Sequence, residues 1–95
     1  MILQFVKLKS ALAEELLLAK AKERAPEFEA IPGLLQKYYV KIDNQGNYGG
    51  VYIWDSQESL LKFKDSDLAK SIPAAYQVIE APAIEIMDIL FQLRT

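Results

Sequence analysis

A chain of 95 residues, 52% hydrophobic and 25% charged, suits one globular domain, residues 1–95, built on a single core. Its net charge of −2 comes with Lys and Arg scattered along the chain, which argues against a nucleic-acid footprint, since that needs clustered positive charge. With no Cys and no His, disulfides, thiolate catalysis and the commonest general base and metal ligand are excluded, and with them most zinc, haem and non-haem iron chemistry.

The first element is Ile2 to Lys9, a strand in which polar residues enter on alternate positions. Lys7 and Lys9 break the run too early for a signal sequence, and no window approaches the ~20 apolar residues of a membrane span. No membrane partner is expected, and the expected setting is the cytoplasm. Ser10 is placed to cap a helix from Ala11 to about Phe28. Leu12, Leu16 and Ala19 form its apolar stripe, and Lys20, Lys22, Glu23 and Arg24 its outer face. Pro26 predicts an end or kink near Ala25, and Pro32-Gly33 stops the element. Leu34 to Asp43 is a second strand, followed by the turn Asn44-Gln45-Gly46-Asn47.

The third strand, Tyr48 to Asp55, sends Tyr48, Gly50, Tyr52 and Trp54 to one face and Gly49, Val51, Ile53 and Asp55 to the other. A two- or four-residue loop after Asp43 pairs Tyr39 with Tyr52 and Lys37 with Trp54, gathering Leu35, Lys37 and Tyr39 on the aromatic face. Ser56 caps a helix whose stripe is Leu60, Leu61 and Phe63. Asp65-Ser66-Asp67 interrupts it before a further turn to Lys70, and Pro73 opens a connection to Pro82. The last strand runs from about Ile84 to Leu93.

This order is βαββαβ, an α+β, ferredoxin-like arrangement: an antiparallel four-stranded sheet with both helices on one face. Tyr39, Tyr52 and Trp54 are too apolar to leave in water, so the aromatic face is expected on the helix-free side, covered by a second copy as a homodimer with a cavity between sheet and partner.

Pro32-Gly33, the Tyr-rich strand, and Gly49-Gly50-Val51-Tyr52-Ile53-Trp54-Asp55-Ser56 before an amphipathic helix resemble the YdhR-type monooxygenases. Phe63, Tyr76-Gln77-Val78 and Ile84 to Ile89 are similar to that family's closing helix and strand. The resemblance implies a dimeric α/β barrel, and it extends to oxygenases that turn an electron-rich phenol into a quinone without metal or flavin. The missing histidine sets the chain apart from the haem-degrading branch. On this resemblance the implied ligand is a small aromatic substrate. Trp54 and Tyr52 would then hold the ring, and Tyr39 would hydrogen-bond a substrate oxygen. Lys37 would stabilise the phenolate, Gln4 would orient a carbonyl, and Asp88 would act as a base if buried. Tyr76 is a further candidate contact.

Each of these residues also has a plainer role. Strand aromatics commonly fill a core or a dimer interface, and Gly49-Gly50 suits a bulge or a close strand approach. Lys37 and Lys41 could snorkel to the sheet edge, Asp88 could lie at a solvated margin, and Tyr76 could anchor its connection. Two alternatives to the oxygenase follow: a non-catalytic small-molecule-binding protein of the same fold, and a sheet face filled by its partner with no cavity.

Overall fold

The structure, a computed structural model, describes residues 1–94. Its elements are β1 (Ile2–Lys9), α1 (Glu14–Glu29), β2 (Leu34–Lys41), β3 (Asn47–Trp54), α2 (Gln57–Lys64), α3 (Asp67–Ala75) and β4 (Ala83–Asp88). The four strands form one antiparallel sheet in the order β2-β3-β1-β4. This is the ferredoxin-like α+β arrangement, with the second helix split in two, and within one chain the sheet does not close into a barrel. Ser56 caps α2 by accepting the Ser59 N–H, and Ser66 caps α3 by accepting that of Ala69. That second cap extends the expected single turn to Lys70 into a full helix with Pro73 inside it.

The hairpin between β2 and β3 pairs Lys37 with Tyr52, Tyr39 with Gly50 and Val40 with Gly49, each two positions from the expected partner. Asp43 causes the slip. It is the first turn residue, not the last strand residue: its carboxylate accepts from the N–H groups of Gln45 (2.8 Å) and Asn47 (3.3 Å) and from Asn47 Nδ2 (2.8 Å). A two-residue slip preserves faces, so Lys37, Tyr39 and Tyr52 still point the same way. A bulge between Leu34 and Gln36 then turns Leu34, in place of Leu35, towards the core. The sequence Gly49-Gly50 forms no bulge.

The aromatic face lies under the helices, opposite to the side expected from sequence. Phe28, Tyr52, Trp54, Leu60 and Phe63 form the main core, with Ile2 and Val6 of β1 packed against them. Tyr52 and Trp54 stack 3° from parallel with centroids 5.9 Å apart, and Phe63 tilts onto both at 5.6 and 5.3 Å. Full burial of a side chain the size of Leu60, 1% exposed, contributes ~2 kcal/mol.

The phase of α1 also differs from expectation. Ser10 does not cap it: the Ser10 hydroxyl donates to the Tyr76 carbonyl (2.6 Å) and accepts the Leu12 N–H (3.0 Å). The helix starts at Glu14, and its buried stripe is Leu17, Ala21 and Phe28, leaving Leu16 exposed. Pro26 is accommodated in the last turn, where a missing N–H costs a single helical bond. Arg24 falls on the inward side. Its guanidinium lies 5.9 Å from the Phe28 ring and 5.8 Å from the Tyr76 ring, with Nη2 donating to Ser71 Oγ at 2.7 Å. In α2, Leu60 and Phe63 are buried and Leu61 is not. The last strand stops at Asp88, and Leu90, Phe91 and Leu93 beyond it are exposed.

Candidate functional site

Between α1 and the β2–β3 half of the sheet lies a cavity of about 180 Å³. Glycine at position 50 makes room for it. A Cβ there would sit 3.1 Å from the Tyr52 ring and 3.4 Å from Lys37 Cε, crowding the two side chains that form the floor. Leu17 of α1 and Ile72 of α3 supply apolar wall, Tyr39 stands at the rim, and Tyr76 closes one end. Glu14 and Lys41 also border the cavity and bind each other at 3.0 Å, both about half exposed. A second hollow of about 300 Å³, lined by Phe28, Glu29 and Gln36, lies on the far side of Lys37 and Tyr39. Lys37 therefore stands in the partition between two spaces.

The Lys37 ammonium is held by three rings. Its Nζ lies 3.6 Å from the Phe28 centroid, 4.3 Å from Tyr39 and 4.6 Å from Tyr52. Among the described residues it has no ion pair. The cage attracts the cation, while burial and then the nearby Arg24 guanidinium drive its pKa down from 10.5 to about 7. Burial acts on the phenols in the opposite direction. It pushes Tyr39 up to about 12, with Tyr76 adding to it, and it raises Tyr52 and Tyr76 as well. Near neutral pH the tyrosines are therefore hydrogen-bond donors and acceptors that keep their protons. Lys37 is the group on the cavity wall that can take a proton and give it back.

The structure brings four of the seven residues singled out from sequence to this cavity: Lys37, Tyr39, Tyr52 and Tyr76. Gln4 and Trp54 lie behind the wall. Trp54 is 0% exposed and its indole N–H donates to Gln4 Oε1 at 2.9 Å, so both are occupied with each other inside the core. Asp88 is exposed at the end of β4, opposite Ile2 and away from the cavity, where the condition of burial attached to its role as a base is not met. Two contributors were not anticipated. Phe28 forms the tightest side of the lysine cage, and Arg24 lowers the lysine's proton affinity. The spacing Leu17, Ala21, Arg24, Phe28 is the signal that would have found them, once the helix is started at Glu14.

No helix among the described residues is long and apolar enough to cross a membrane. No curated protein matches the chain. Solved structures do. A protein of unknown function from Nitrosomonas europaea, NE2512, superposes with a TM-score of 0.78 at 18% identity, covering 99% of this chain and 93% of that one. SnoaB from Streptomyces nogalater, a cofactor-independent oxygenase, does so at 0.76 and 10% identity, covering 99% and 97%. An antibiotic biosynthesis monooxygenase gives 0.73 at 14% identity, covering 95% and 99%. Identities this low establish a shared fold. The family described as "Putative mono-oxygenase ydhR" matches residues 2–94, and the chain belongs to that family.

Proposed function

We propose that the protein is a cofactor-independent monooxygenase that oxidises a small electron-rich phenol in the cavity between α1 and the sheet. The observation that carries this reading is the unpaired Lys37 amine, enclosed by the Phe28, Tyr39 and Tyr52 rings on the wall of a largely apolar cavity. The family membership and the SnoaB fold support it. Lys37 in its neutral form takes the phenol proton and remains as an ammonium beside the phenolate. Tyr39 donates a hydrogen bond to the same oxygen, and Tyr52 and Tyr76 flank the ring. The phenolate gives one electron to dioxygen, and the radical pair combines to a carbon-bound peroxide. That peroxide takes up a proton and loses water to leave a quinone, so one phenol and one dioxygen become one quinone and one water. The protein's work is to bind the ring, hold the proton and exclude bulk solvent. With 1-naphthol as probe we expect oxygen consumption matched by formation of 1,4-naphthoquinone. If neither 1-naphthol nor an anthrone is oxidised by the purified protein, the non-catalytic binding reading takes its place.

We also propose that the protein works as a homodimer through the helix-free face. Tyr38, Val40 and Met87 are exposed there, beside Phe5, Val51 and Ile53, and Leu90, Phe91 and Leu93 after β4 are exposed as well. An apolar sheet face of this extent is costly to leave in water. Sedimentation at micromolar concentration should show a dimer that Val51→Lys converts to monomer; a monomeric wild type would refute the pairing.

A further inference from the structure

The charges around the cavity do not balance. Lys37 and Arg24 act on each other electrostatically, and neither is in an ion pair among the described residues. Of the residues bordering the cavity Glu14 carries the carboxylate, and Lys41 has already taken it at 3.0 Å. Glu29, on the far side of the partition, is exposed and bridges neither cation. Burying like charges without a counter-charge is costly, and one of the two is then driven to give up its proton unless an anion arrives.

A buried polar atom points the same way. Tyr76 is 5% exposed and borders the cavity, and its hydroxyl makes no close hydrogen bond. The buried Arg24 side chain beside it acts on the phenol oxygen as a donor does. The Tyr76 O–H is therefore the donor left for a ligand acceptor in the cavity. The remaining wall is apolar, contributed by side chains such as Val6, Leu8, Leu17 and Ile72. A cavity of roughly 150 Å³ accepts a benzene ring, so about 180 Å³ suits one substituted ring, with any second ring at the mouth beside Tyr39.

We propose that the cavity selects an aromatic ligand bearing a carboxylate, with the ring against Leu17, Ile72 and Tyr52 and the anion held by the Lys37 ammonium and the Tyr76 hydroxyl under the field of Arg24. This rests on the cavity being the substrate site and narrows the substrate class from phenols in general to acidic ones, for which Lys37 stays an ammonium that holds the carboxylate and stabilises the phenolate while the phenol proton leaves to solvent at the mouth. The groups facing Lys37 are Arg24 from α1, Tyr39 from β2, Tyr52 from β3 and Tyr76 after α3, with Glu14 and Lys41 paired at the rim. Within the cavity none supplies a free negative charge at neutral pH, and Glu29, the carboxylate on the far side of the partition that is unpaired among the described residues, is exposed to solvent, so the ligand's carboxylate is the counter-ion.

The test is calorimetric binding of 1-hydroxy-2-naphthoate and of its methyl ester under anaerobic conditions. At pH 7 the acid should bind at least tenfold more tightly than the ester. At pH 8, where Lys37 is mostly neutral, titrations in two buffers of different ionisation enthalpy should show close to one proton taken up per acid bound and none per ester. Lys37→Met should abolish that uptake. Lys37→Met, which removes the ammonium, should also bring the two affinities within about twofold, whereas Arg24→Gln, which lets Lys37 keep its proton, should reduce the uptake at pH 8 while the acid keeps its preference. Ester binding equal to or tighter than acid overturns the proposal, as does the absence of binding by either. Acid binding without oxygen consumption leaves the anion site standing and removes the oxygenase. Oxidation of 1-naphthol with no preference for the acid does the reverse.

Discussion

Lys37→Met should abolish phenol oxidation and at the same time make the folded protein more stable at neutral pH. Loss of a proton acceptor in a positioned site costs ~10²–10⁴ in rate, so oxygen consumption with 1-naphthol should fall at least ~100-fold. The stability gain follows from linkage. An unfolded lysine titrates at 10.5 and the folded one at about 7, so between these values the unfolded chain binds more protons and stability rises with pH. Below pH 7 both states are protonated and the penalty for burying the ammonium is present in full. The shift corresponds to at most ~5 kcal/mol. Lys37 is only partly enclosed, and its three rings return ~0.5–2 kcal/mol of cation–π attraction, which leaves a net change of ~2 kcal/mol. The raised tyrosines close the window at the alkaline end. Above pH 10 unfolded tyrosines ionise while Tyr39, Tyr52 and Tyr76 are held neutral, so stability falls as pH rises further. Urea unfolding of the wild type should therefore show stability climbing from pH 6.5 to about 9.5. Lys37→Met should lack the climb and exceed the wild type at pH 6.5, because a thioether fills the cage without a charge. A variant as pH-dependent as the wild type would mean that the amine is not buried as described.

Part of the site was legible in the sequence and part was not. Side-chain alternation with a period of two put Lys37, Tyr39 and Tyr52 on one face, and that grouping survived a two-residue register slip because an even slip cannot change faces. The slip itself came from Asp43, whose carboxylate satisfies three turn donors and draws the residue out of the strand. Which face the helices cover was not legible, since Val51 and Ile53 are as suitable for burial as the aromatics. The packing of Tyr52 and Trp54 against Phe28 of α1 and Phe63 of α2 shows which face it is. The run Leu16-Leu17-Leu18 gave the first helix no unique phase, and that ambiguity hid Arg24 and Phe28 among surface residues. Tyr76 was visible only as a residue in a connection. Its place beside the cavity depends on the hydrogen bond from Ser10 to its carbonyl and on the pairing of Ser10 with Val78, contacts between segments far apart in the chain.

Trp54 gives the largest stability effect and separates the core from the site. Trp54→Ala removes the one fully enclosed indole, its stack on Tyr52 and its contact with Phe63, and should cost ~4 kcal/mol, a large fraction of the stability of a small domain. The more discriminating variant is Trp54→Phe, which keeps a ring but removes the N–H that Gln4 Oε1 accepts at 2.9 Å. Gln4 is 5% exposed, so the orphaned carbonyl carries a desolvation cost of ~1–3 kcal/mol beyond the lost volume. Adding Gln4→Leu to Trp54→Phe removes that orphan. In the wild-type background Gln4→Leu should destabilise, because it strands the indole N–H; in the Trp54→Phe background it should stabilise. A double-mutant cycle in urea reads the difference, and equal effects in both backgrounds would show that the bond does not hold the core. Because neither residue borders the cavity, folded Trp54→Phe should keep oxygen consumption within a few-fold of wild type. Lys37→Met should do the opposite, losing oxygen consumption while the fold tightens, and these two outcomes together would place the reaction at the caged amine and the stability at the buried indole.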